Sequence, residues 1–334
     1  RIMAQAPNNK HNASWQQTML RIKDPKRTVD FYRDHFNFTL IHTIDFPQWK
    51  FSLYFMATLP EGTIAPTPGT PEAEAFLWSF KGVTLEFTHN HGSETDDSFT
   101  VNNGNVEPHR GFGHIAVACD DVYVACEELE KKGIAFQKKP DEGRMKGLAF
   151  ALDPDGYWIE VIRRNPDTGF KGYNLAQTMI RVKDIKRSLA FYCDILGMTL
   201  ISERHFEAAK FSLYFLAQLP PGTQVPDPKS EEGSLFAKGL FNPVLELTYN
   251  HGTELDDNFH YHNGNTDPRG FGHIGFLVDD VYATCADIEA AGFGMQKKPD
   301  DGNMKGLAFA LDPDNYWVEI IKRGMTVAEL MQPK

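Results

Sequence analysis

The sequence predicts an α+β protein built from four modules of the order strand–helix–strand–strand–strand, arranged as curved mixed sheets. Two observations predict this fold. The segment "WQQTMLRIKDPKRTVDFYRDHFNFTL" returns 160 positions later as "LAQTMIRVKDIKRSLAFYCDILGMTL". Within each half, moreover, two helical segments separate short apolar-rich segments that are typical of strands. A chain of 334 residues is long enough for about two domains.

The repeat divides nearly the whole chain into two homologous halves. "KFSLYF" and "LEFTHNHG" also recur after 160 positions, whereas "GFGHI" and the segments after it recur after 159. The displacement changes between Pro108 and Arg110, so the first half carries one extra residue, which is His109 or its immediate neighbour. We expect it to lengthen a loop and to have no catalytic role. The predicted parts are an N-terminal extension (1–13), a first domain (14–163), a linker (164–173), a second domain (174–323) and a C-terminal tail (324–334).

Local signals predict the elements of the first half in order. A strand over Gln16–Lys23 is followed by Asp24 and Pro25, an N-cap and an N1 proline that predict a helix to about His35. We expect "APTPGTPEAEA" to be an exposed loop. The further predicted elements are strands Thr39–Asp45, Phe51–Ala57, Val83–Thr88 and His114–Cys119, a helix Asp121–Lys132, and strands near Ala135–Lys138, Leu148–Ala151 and Tyr157–Ile162.

Composition limits the function classes. The net charge of -11 argues against general binding to nucleic acid or anionic membranes, and no apolar run is long enough to cross a bilayer. The four cysteines form no C-x-x-C pair and are expected to be reduced thiols, which favours a cytoplasmic location.

Several predicted strands carry polar residues where a buried face is expected. Taken alone, Glu86 or Glu160 fits a strand residue that faces water, and His114 fits a hydrogen-bonded histidine. Strand parity, however, puts polar side chains on shared faces, and the whole set recurs in the second half. The residues that share a face are Gln17 with Arg21, Glu86 with Asn90 and, if that stretch is extended, Arg110 with His114. The equivalents of these residues and of Glu160 in the second half are Gln177, Arg181, Glu246, Asn250, Arg269, His273 and Glu319.

This combination favours a metal site. Burying two carboxylates requires a compensating cation, and Gln, His and two Glu with one divalent ion sum to zero charge. Oxygen-rich ligation without cysteine indicates a catalytic centre with open water positions rather than a closed structural site.

The same segments carry a family resemblance. "QQTMLRIKDPKRTVDFYRDHF", "KFSLYF", "LEFTHNHGSE", "NNGN", "RGFGHIAV" and "KKPDEGRMKGLAFALDPDGYWIEVI", with their second copies, closely resemble glyoxalase I (lactoylglutathione lyase) of the vicinal-oxygen-chelate superfamily. The resemblance covers nearly all of both halves. It implies two tandem domains of βαβββ modules. Because the chain resembles the monomeric tandem form of the family, we expect a monomer.

The resemblance also implies the ligands and the reaction. In homodimeric relatives each metal centre takes Gln and Glu from one chain and His and Glu from the other. The implied centres are Gln17, Glu86, His273 and Glu319, and Gln177, Glu246, His114 and Glu160. The implied reaction converts the hemithioacetal of methylglyoxal and glutathione to S-D-lactoylglutathione through a metal-stabilised enediolate. Glu319 and Glu160 are the implied main bases, and Glu86 and Glu246 serve the opposite hand of the substrate.

Further matched positions imply contacts with glutathione, whose two carboxylates suit Arg and Lys. For Lys138 and Lys297, a solvated loop charge remains an alternative. The implied contacts are Arg21, Asn90, Arg269, Lys297 and Met304 in the first site, and Arg181, Asn250, Arg110, Lys138 and Met145 in the second.

Alternatives remain at this point. An extradiol-type dioxygenase on the same modules would need two His and one carboxylate around Fe(II), whereas the repeated sets contain one His and two Glu. A metal-free small-molecule binding protein would not need four repeated ligands. One site could also be inactive, although no ligand is missing from either copy. We expect two Zn²⁺ per chain, with Ni²⁺ as the alternative ion, since ligand identity does not separate the two.

Overall fold

The computed structural model describes residues 4–5 and 9–331 of the chain. Residues 1–3 and 6–8 of the predicted extension, and residues 332–334 of the predicted tail, lie outside the described residues. No helix in the described part of the chain is both long and apolar enough to cross a membrane. All four cysteines are free, as expected.

The first half contains two modules that follow a short N-terminal strand. Asp24 caps the first helix by accepting hydrogen bonds from the backbone N–H groups of Lys26 and Arg27, and Pro25 is its first residue, as predicted. The elements are β1 Ala4–Gln5, β2 Ser14–Ile22, α1 Pro25–Phe36, β3 Thr39–Phe46, β4 Phe51–Ala57, α2 Pro71–Ser79, β5 Thr84–Asn90, β6 Phe112–Cys119, α3 Val122–Lys131, β7 Phe136–Lys138, β8 Ala149–Leu152 and β9 Trp158–Arg163.

The second half repeats this order, and the predicted α+β fold of four modules is confirmed. A π-helical turn, Ala190–Ile195, continues the helix α4. The elements are β10 Asn174–Val182, α4 Ile185–Leu189, β11 Thr199–Phe206, β12 Phe211–Ala217, β13 Gln224–Val225, α5 Glu231–Lys238, β14 Val244–Asn250, β15 Phe271–Val278, α6 Val281–Ala290, β16 Met295–Lys297, β17 Ala308–Leu311, β18 Trp317–Lys322 and α7 Val327–Leu330.

One expectation for the first half is wrong. The segment "APTPGTPEAEA" was expected to be an exposed loop, but its last five residues begin the helix α2. Thr70 caps this helix by accepting a hydrogen bond from the N–H of Ala73, Pro71 is its first residue, and Glu72 and Glu74 lie in the first turn. These are helix-start signals that the Pro-rich composition obscured. The helix is held by Ala73, Leu77 and Trp78, which are buried.

Each large sheet unites a module from one half with a module from the other. The strand orders are β16-β17-β18-β15-β2-β5-β4-β3 and β11-β12-β14-β10-β6-β9-β8-β7. In both, the two modules join through an antiparallel pair, β2 with β15 and β10 with β6. A chain that folds this way brings side chains of the two halves onto adjacent strands.

The two sheets meet along an approximate twofold axis. The hydroxyls of Thr18 and Thr178, which are 160 residues apart in the repeat, are buried and lie 2.8 Å from each other. Near them the rings of Phe112 and Phe271 stack with their centroids 5.2 Å apart. The core between the sheets is therefore shared by all four modules.

Buried tyrosine–aspartate contacts join the modules within each half. Tyr32 on α1 donates a hydrogen bond to Asp153 Oδ2 at 3.0 Å, and Tyr192 makes the same contact with Asp312 at 2.8 Å. Asp153 Oδ1 also accepts bonds from the N–H groups of Asp155 and Tyr157, both at 2.9 Å. A buried carboxylate in such a turn depends on all of its donors.

We expect Tyr32→Phe to lower the free energy of unfolding by about 1–3 kcal/mol, because it leaves a buried carboxylate one donor short. Tyr123→Phe is the matched control, since Tyr123 donates to Asp141 on the exposed surface. Urea denaturation measures both variants. Equal stability of the two variants would contradict the importance of the buried contact.

Candidate metal centres

Four adjacent strands position the first cluster of polar side chains. Gln17 lies on β2, Glu86 on β5, His273 on β15 and Glu319 on β18, in the sheet order β5-β2-β15-β18. Gly275 is the register partner of both Gln17 and Glu319. A Cβ atom at Gly275 would lie 2.8 Å from Cγ of Gln17, so the missing side chain leaves room for the glutamine.

The first cluster is compact and buried. Gln17 Nε2 donates hydrogen bonds to Oε2 of Glu86 at 2.5 Å and to Oε2 of Glu319 at 2.7 Å. Nε2 of His273 lies 3.2 Å from Glu319 Oε2 and 3.4 Å from Glu86 Oε2. All four residues are at most 7% exposed, which removes the water that would otherwise solvate two carboxylates.

The second cluster repeats this geometry with the halves exchanged. Gln177 Nε2 donates to Glu246 Oε2 at 2.6 Å and to Glu160 Oε2 at 2.7 Å. Nε2 of His114 lies 3.3 Å from Glu160 and 3.6 Å from Glu246. Ala116 stands where the first cluster has Gly275, so the second cluster accommodates one more methyl group.

The electrostatics of both clusters favour a positive charge. Burial acts to lower the pKa of His273, but Glu319 and Glu86 outweigh it and raise that pKa to about 9. His114 behaves in the same way, with its pKa raised to about 9 against the effect of burial by Glu160 and Glu246. Burial also raises the pKa of Glu86. Each cluster therefore attracts a cation, and a proton on the imidazole takes that role when no other cation is present.

The donor set fits a divalent metal ion. In each cluster the imidazole nitrogen and the two carboxylate oxygens lie within 4.8 Å of one another. Gln17 Oε1 is buried and has no hydrogen-bond partner in the part of the chain that the structure describes. Since an amide can turn its oxygen to where its nitrogen lies, Gln17 can offer a fourth ligand at the same point. One nitrogen and three oxygens suit ions of the Zn²⁺ or Ni²⁺ type.

Two predicted glutathione contacts of the first site, Arg21 and Lys297, are hydrogen-bonded to backbone oxygens. Arg21 is held by the backbone oxygens of Gly264 and Phe271, both at 3.2 Å, and by Asn265 Oδ1 at 2.8 Å. Lys297 Nζ donates to the backbone oxygens of Leu307 at 2.6 Å and Met304 at 3.2 Å. The ammonium group of Lys297 is thus hydrogen-bonded to backbone oxygens and is not only a solvated loop charge.

Of the remaining predicted contacts of the first site, Met304 is partly buried against an apolar cluster, whereas Asn90 and Arg269 are on the surface. Asn90 ends β5 and is exposed, and Arg269 is exposed beside Asp267. Arg269 is still close enough to Arg21 to contribute to lowering the pKa of Arg21, which burial lowers most.

The second site repeats these positions. Arg181 donates to the backbone oxygens of Gly104 and Phe112 at 3.0 and 3.1 Å, and Lys138 donates to that of Leu148 at 2.6 Å. Asn250 donates to the hydroxyl of Tyr261 at 2.8 Å, a contact that Asn90 lacks among the described residues because Val101 replaces the tyrosine.

The parity expectation for Arg110 and His114 is not met. It required an extended stretch, but β6 begins at Phe112, and Arg110 lies in the preceding loop with a contact to Glu107. The extra His109 lies in the same loop, where its ring contacts that of His262 and its backbone oxygen accepts from Asn102. Neither His109 nor Arg110 interrupts the register of the cluster.

A cavity of about 490 Å³ opens onto the second cluster. Its lining includes the predicted residues Arg181 and Met145 and all four cluster residues. It also includes residues that the sequence reasoning missed, among them Lys146, Arg164, Arg204 and Lys238. Arg204 and Lys238 were missed because the candidates were chosen for recurring in both halves, and these two residues do not recur.

Comparison with known proteins assigns the chain to a family. A model of the Glyoxalase/Bleomycin resistance protein/Dioxygenase superfamily matches residues 15–161 and 174–320. The chain is 44% identical to glyoxalase I of Saccharomyces cerevisiae over 332 residues, which cover 97% of each protein. The chain belongs to the glyoxalase I family. It is similarly related to the lactoylglutathione lyase of Schizosaccharomyces pombe, with 41% identity over 92% of this chain and 95% of that protein.

Solved structures of the glyoxalase I family agree with this assignment. Glyoxalase I from Zea mays matches with a TM-score of 0.68 and 27% identity, over 96% of this chain and 95% of that one. The tandem two-domain arrangement and the membership in a lyase family are therefore both supported by full-length similarity.

We expect the metal-free chain to bind two divalent ions, and His273→Ala and His114→Ala to bind one ion each, because each substitution removes one ligand of one cluster. His109→Ala is the control and is expected to keep both ions. Equilibrium dialysis with Zn²⁺ followed by metal analysis measures the stoichiometry. A loss of one ion in His109→Ala would show that the wrong histidine was dismissed.

Proposed function

We propose that the chain isomerises the hemithioacetal of methylglyoxal and glutathione to S-D-lactoylglutathione, at two metal-dependent sites per chain, and so detoxifies methylglyoxal. The observation that carries the proposal is the pair of buried clusters, each with one His, one Gln and two Glu from both halves. The relatives named glyoxalase I and lactoylglutathione lyase support the same reaction for this chain.

The reaction must remove a proton from a carbon next to a carbonyl and return one to the neighbouring carbon. We infer that Glu319 in the first site and Glu160 in the second hold that proton. Both glutamates are buried in their clusters, out of contact with bulk water. Glu86 on β5 and Glu246 on β14 face the same point from the other side of each cluster, with two strands between each of them and the main base, and serve the opposite hand of the substrate.

The other cluster residues hold this arrangement in place. We infer that Gln17, His273 and both glutamates would bind the metal of the first site, and Gln177, His114, Glu160 and Glu246 that of the second. When bound, the metal supplies positive charge that stabilises the negative charge developing on the substrate oxygen. Phe309 packs edge-on against His273, and Phe150 against His114, which restricts the imidazole rings and keeps water out. Zn²⁺ is the proposed ion, and Ni²⁺ is the alternative.

Arginine and lysine side chains around each cluster suit the two carboxylates of glutathione. Arg181 is buried and Arg21 is partly buried, and backbone oxygens fix both side chains, so their forks are preorganised. The proposed contacts are Arg21, Asn90, Arg269, Lys297 and Met304 in the first site, and Arg181, Asn250, Arg110, Lys138 and Met145 in the second. Because each cluster is complete within one chain, we also propose a monomer. The four free cysteines favour a cytoplasmic location.

We expect Glu319→Gln and Glu160→Gln each to retain about half of the kcat for methylglyoxal hemithioacetal, because the sites act independently. The double variant should lose at least about 100-fold, since both bases are gone. The ultraviolet absorbance of the thioester product measures the rate. If either single variant abolishes all turnover, two working sites are ruled out.

A further inference from the structure

The two sites differ in the region beyond their clusters. At the second site, the cavity of about 490 Å³ is lined by Arg204, on β11, and Lys238, the last residue of α5. The repeat aligns these residues with Ile44 and Trp78 in the first half. The change replaces two large apolar side chains by two cations at one site only.

Apolar side chains fill the corresponding region of the first site. Ile44 and Trp78 are buried in one cluster with Leu277, Ile321 and Leu330. Leu330 belongs to the C-terminal helix α7, which packs over this region. At the second site Ala118 replaces Leu277, which leaves further space next to Arg204 and Lys238.

Arg204 and Lys238 of the second site have no carboxylate partner among the side chains that the structure describes. Among the residues that the structure describes, Arg204, Lys238 and Arg163 form no ion pair within 4.0 Å, and the acidic residues that line the cavity are the two cluster glutamates. Arg204 lies over the Phe215 ring with its Cζ 5.6 Å from the centroid. Burial lowers the pKa of Lys238, and Arg204 and Arg163 lower it further, which indicates that the three charges are close.

A buried guanidinium adds to this basic lining. Arg164 is 4% exposed and lines the cavity, and its Nη1 has no hydrogen-bond partner within the described ranges 4–5 and 9–331. Its Nε lies 3.2 Å from Asp120, and its Nη2 donates to the backbone oxygens of Ala118 and Gly172. In the first site the equivalent Arg323 donates from Nη1 to Ser14 Oγ at 3.1 Å. Nη1 of Arg164 at the second site is thus a buried donor with no partner among the described residues, whereas Nη1 of Arg323 at the first site has one.

Glutathione does not account for these extra charges. Its proposed contacts, such as Arg181 and Lys138, recur at the first site as Arg21 and Lys297. Since glutathione is common to every substrate of both sites, a difference between the sites concerns the variable part, which is the aldehyde-derived substituent. Cations that line a pocket favour an anionic group over an uncharged one of the same size.

We propose that the second site accepts hemithioacetals of 2-oxoaldehydes whose substituent ends in an anionic group, a carboxylate or a phosphate, with Arg204 and Lys238 as specificity-determining residues. The first site is confined to small uncharged substituents. This inference rests on the proposed function and deepens it. The isomerisation itself is unchanged: one proton moves between neighbouring carbons, and the anionic group is neither made nor broken.

The test compares an acid with its ester in single-site variants. Hemithioacetals are prepared from glutathione and a 2-oxoaldehyde with a terminal carboxylate, and from the methyl ester of that aldehyde. The ratio of kcat/KM for the acid to that for the ester is measured in Glu319→Gln, where the second site works, and in Glu160→Gln, where the first site works. We expect the ratio to be about tenfold higher in Glu319→Gln, the size of one charged hydrogen bond.

Substitutions within the second site locate the effect. In the Glu319→Gln background, Arg204→Ile installs the residue of the first half, and Lys238→Gln removes the other cation. Each should lower the acid-to-ester ratio by about tenfold. Lys186→Gln is the charge-matched control, since Lys186 is exposed on α4 and does not line the cavity, and it should leave the ratio unchanged.

Equal ratios in the two single-site variants would overturn the inference, and so would an Arg204→Ile variant that loses acid and ester turnover equally. Failure of the proposed function is a separate result, in which the wild-type chain isomerises no hemithioacetal of methylglyoxal. Calorimetric binding of S-(carboxyalkyl)glutathione and its methyl ester to the wild type and to Arg204→Ile then still decides the charge preference. Equal binding of acid and ester to the wild type would contradict it.

Discussion

Two carboxylates buried side by side are the constraint on which the rest of the structure depends. Neither Glu86 with Glu319 nor Glu246 with Glu160 could remain desolvated as a pair of anions without nearby positive charge. Although burial acts to lower the pKa of the histidine in each cluster, the two glutamates raise it to about 9. The protonated imidazole then supplies the positive charge. A divalent ion meets the same demand more fully, because it neutralises both glutamates at once and leaves the imidazole neutral. The adjacent strands and the packing around the imidazole rings bring these charged side chains to one point. In the first cluster, Gly275 also leaves room for Gln17.

The sheet architecture explains why the sites come in a pair. Each large sheet is made of one module from each half, so a Gln–Glu pair on one module faces a His–Glu pair from the other half. Duplication within one chain then yields two clusters that are related by the axis near Thr18 and Thr178. The covalent link between the halves also allows the two sites to diverge, because a substitution in one half changes only one site. The replacement of Ile44 and Trp78 by Arg204 and Lys238 is such a divergence.

The sequence predicted the features that recur and missed those that do not. The module order and the eight cluster residues could be predicted because the same polar residue on the same strand face appears twice. The helix Pro71–Ser79 was missed because its Pro-rich beginning resembles a loop, although Thr70 and Pro71 are start signals. The place of Arg110 depended on where β6 begins, and strand ends are poorly defined by alternation alone. The basic cavity could not be predicted, since it is formed by residues of β11 and α5 that meet only after folding.

Anomalous diffraction from crystals grown with Zn²⁺ tests whether two metal centres are built across the two halves. It locates each ion without reference to the residues that are proposed to bind it. We expect two anomalous peaks per chain, one among Gln17, Glu86, His273 and Glu319 and one among Gln177, Glu246, His114 and Glu160. Peaks at only one cluster, or a peak bound by residues of a single half, would contradict the claim that both sites are built across the two halves.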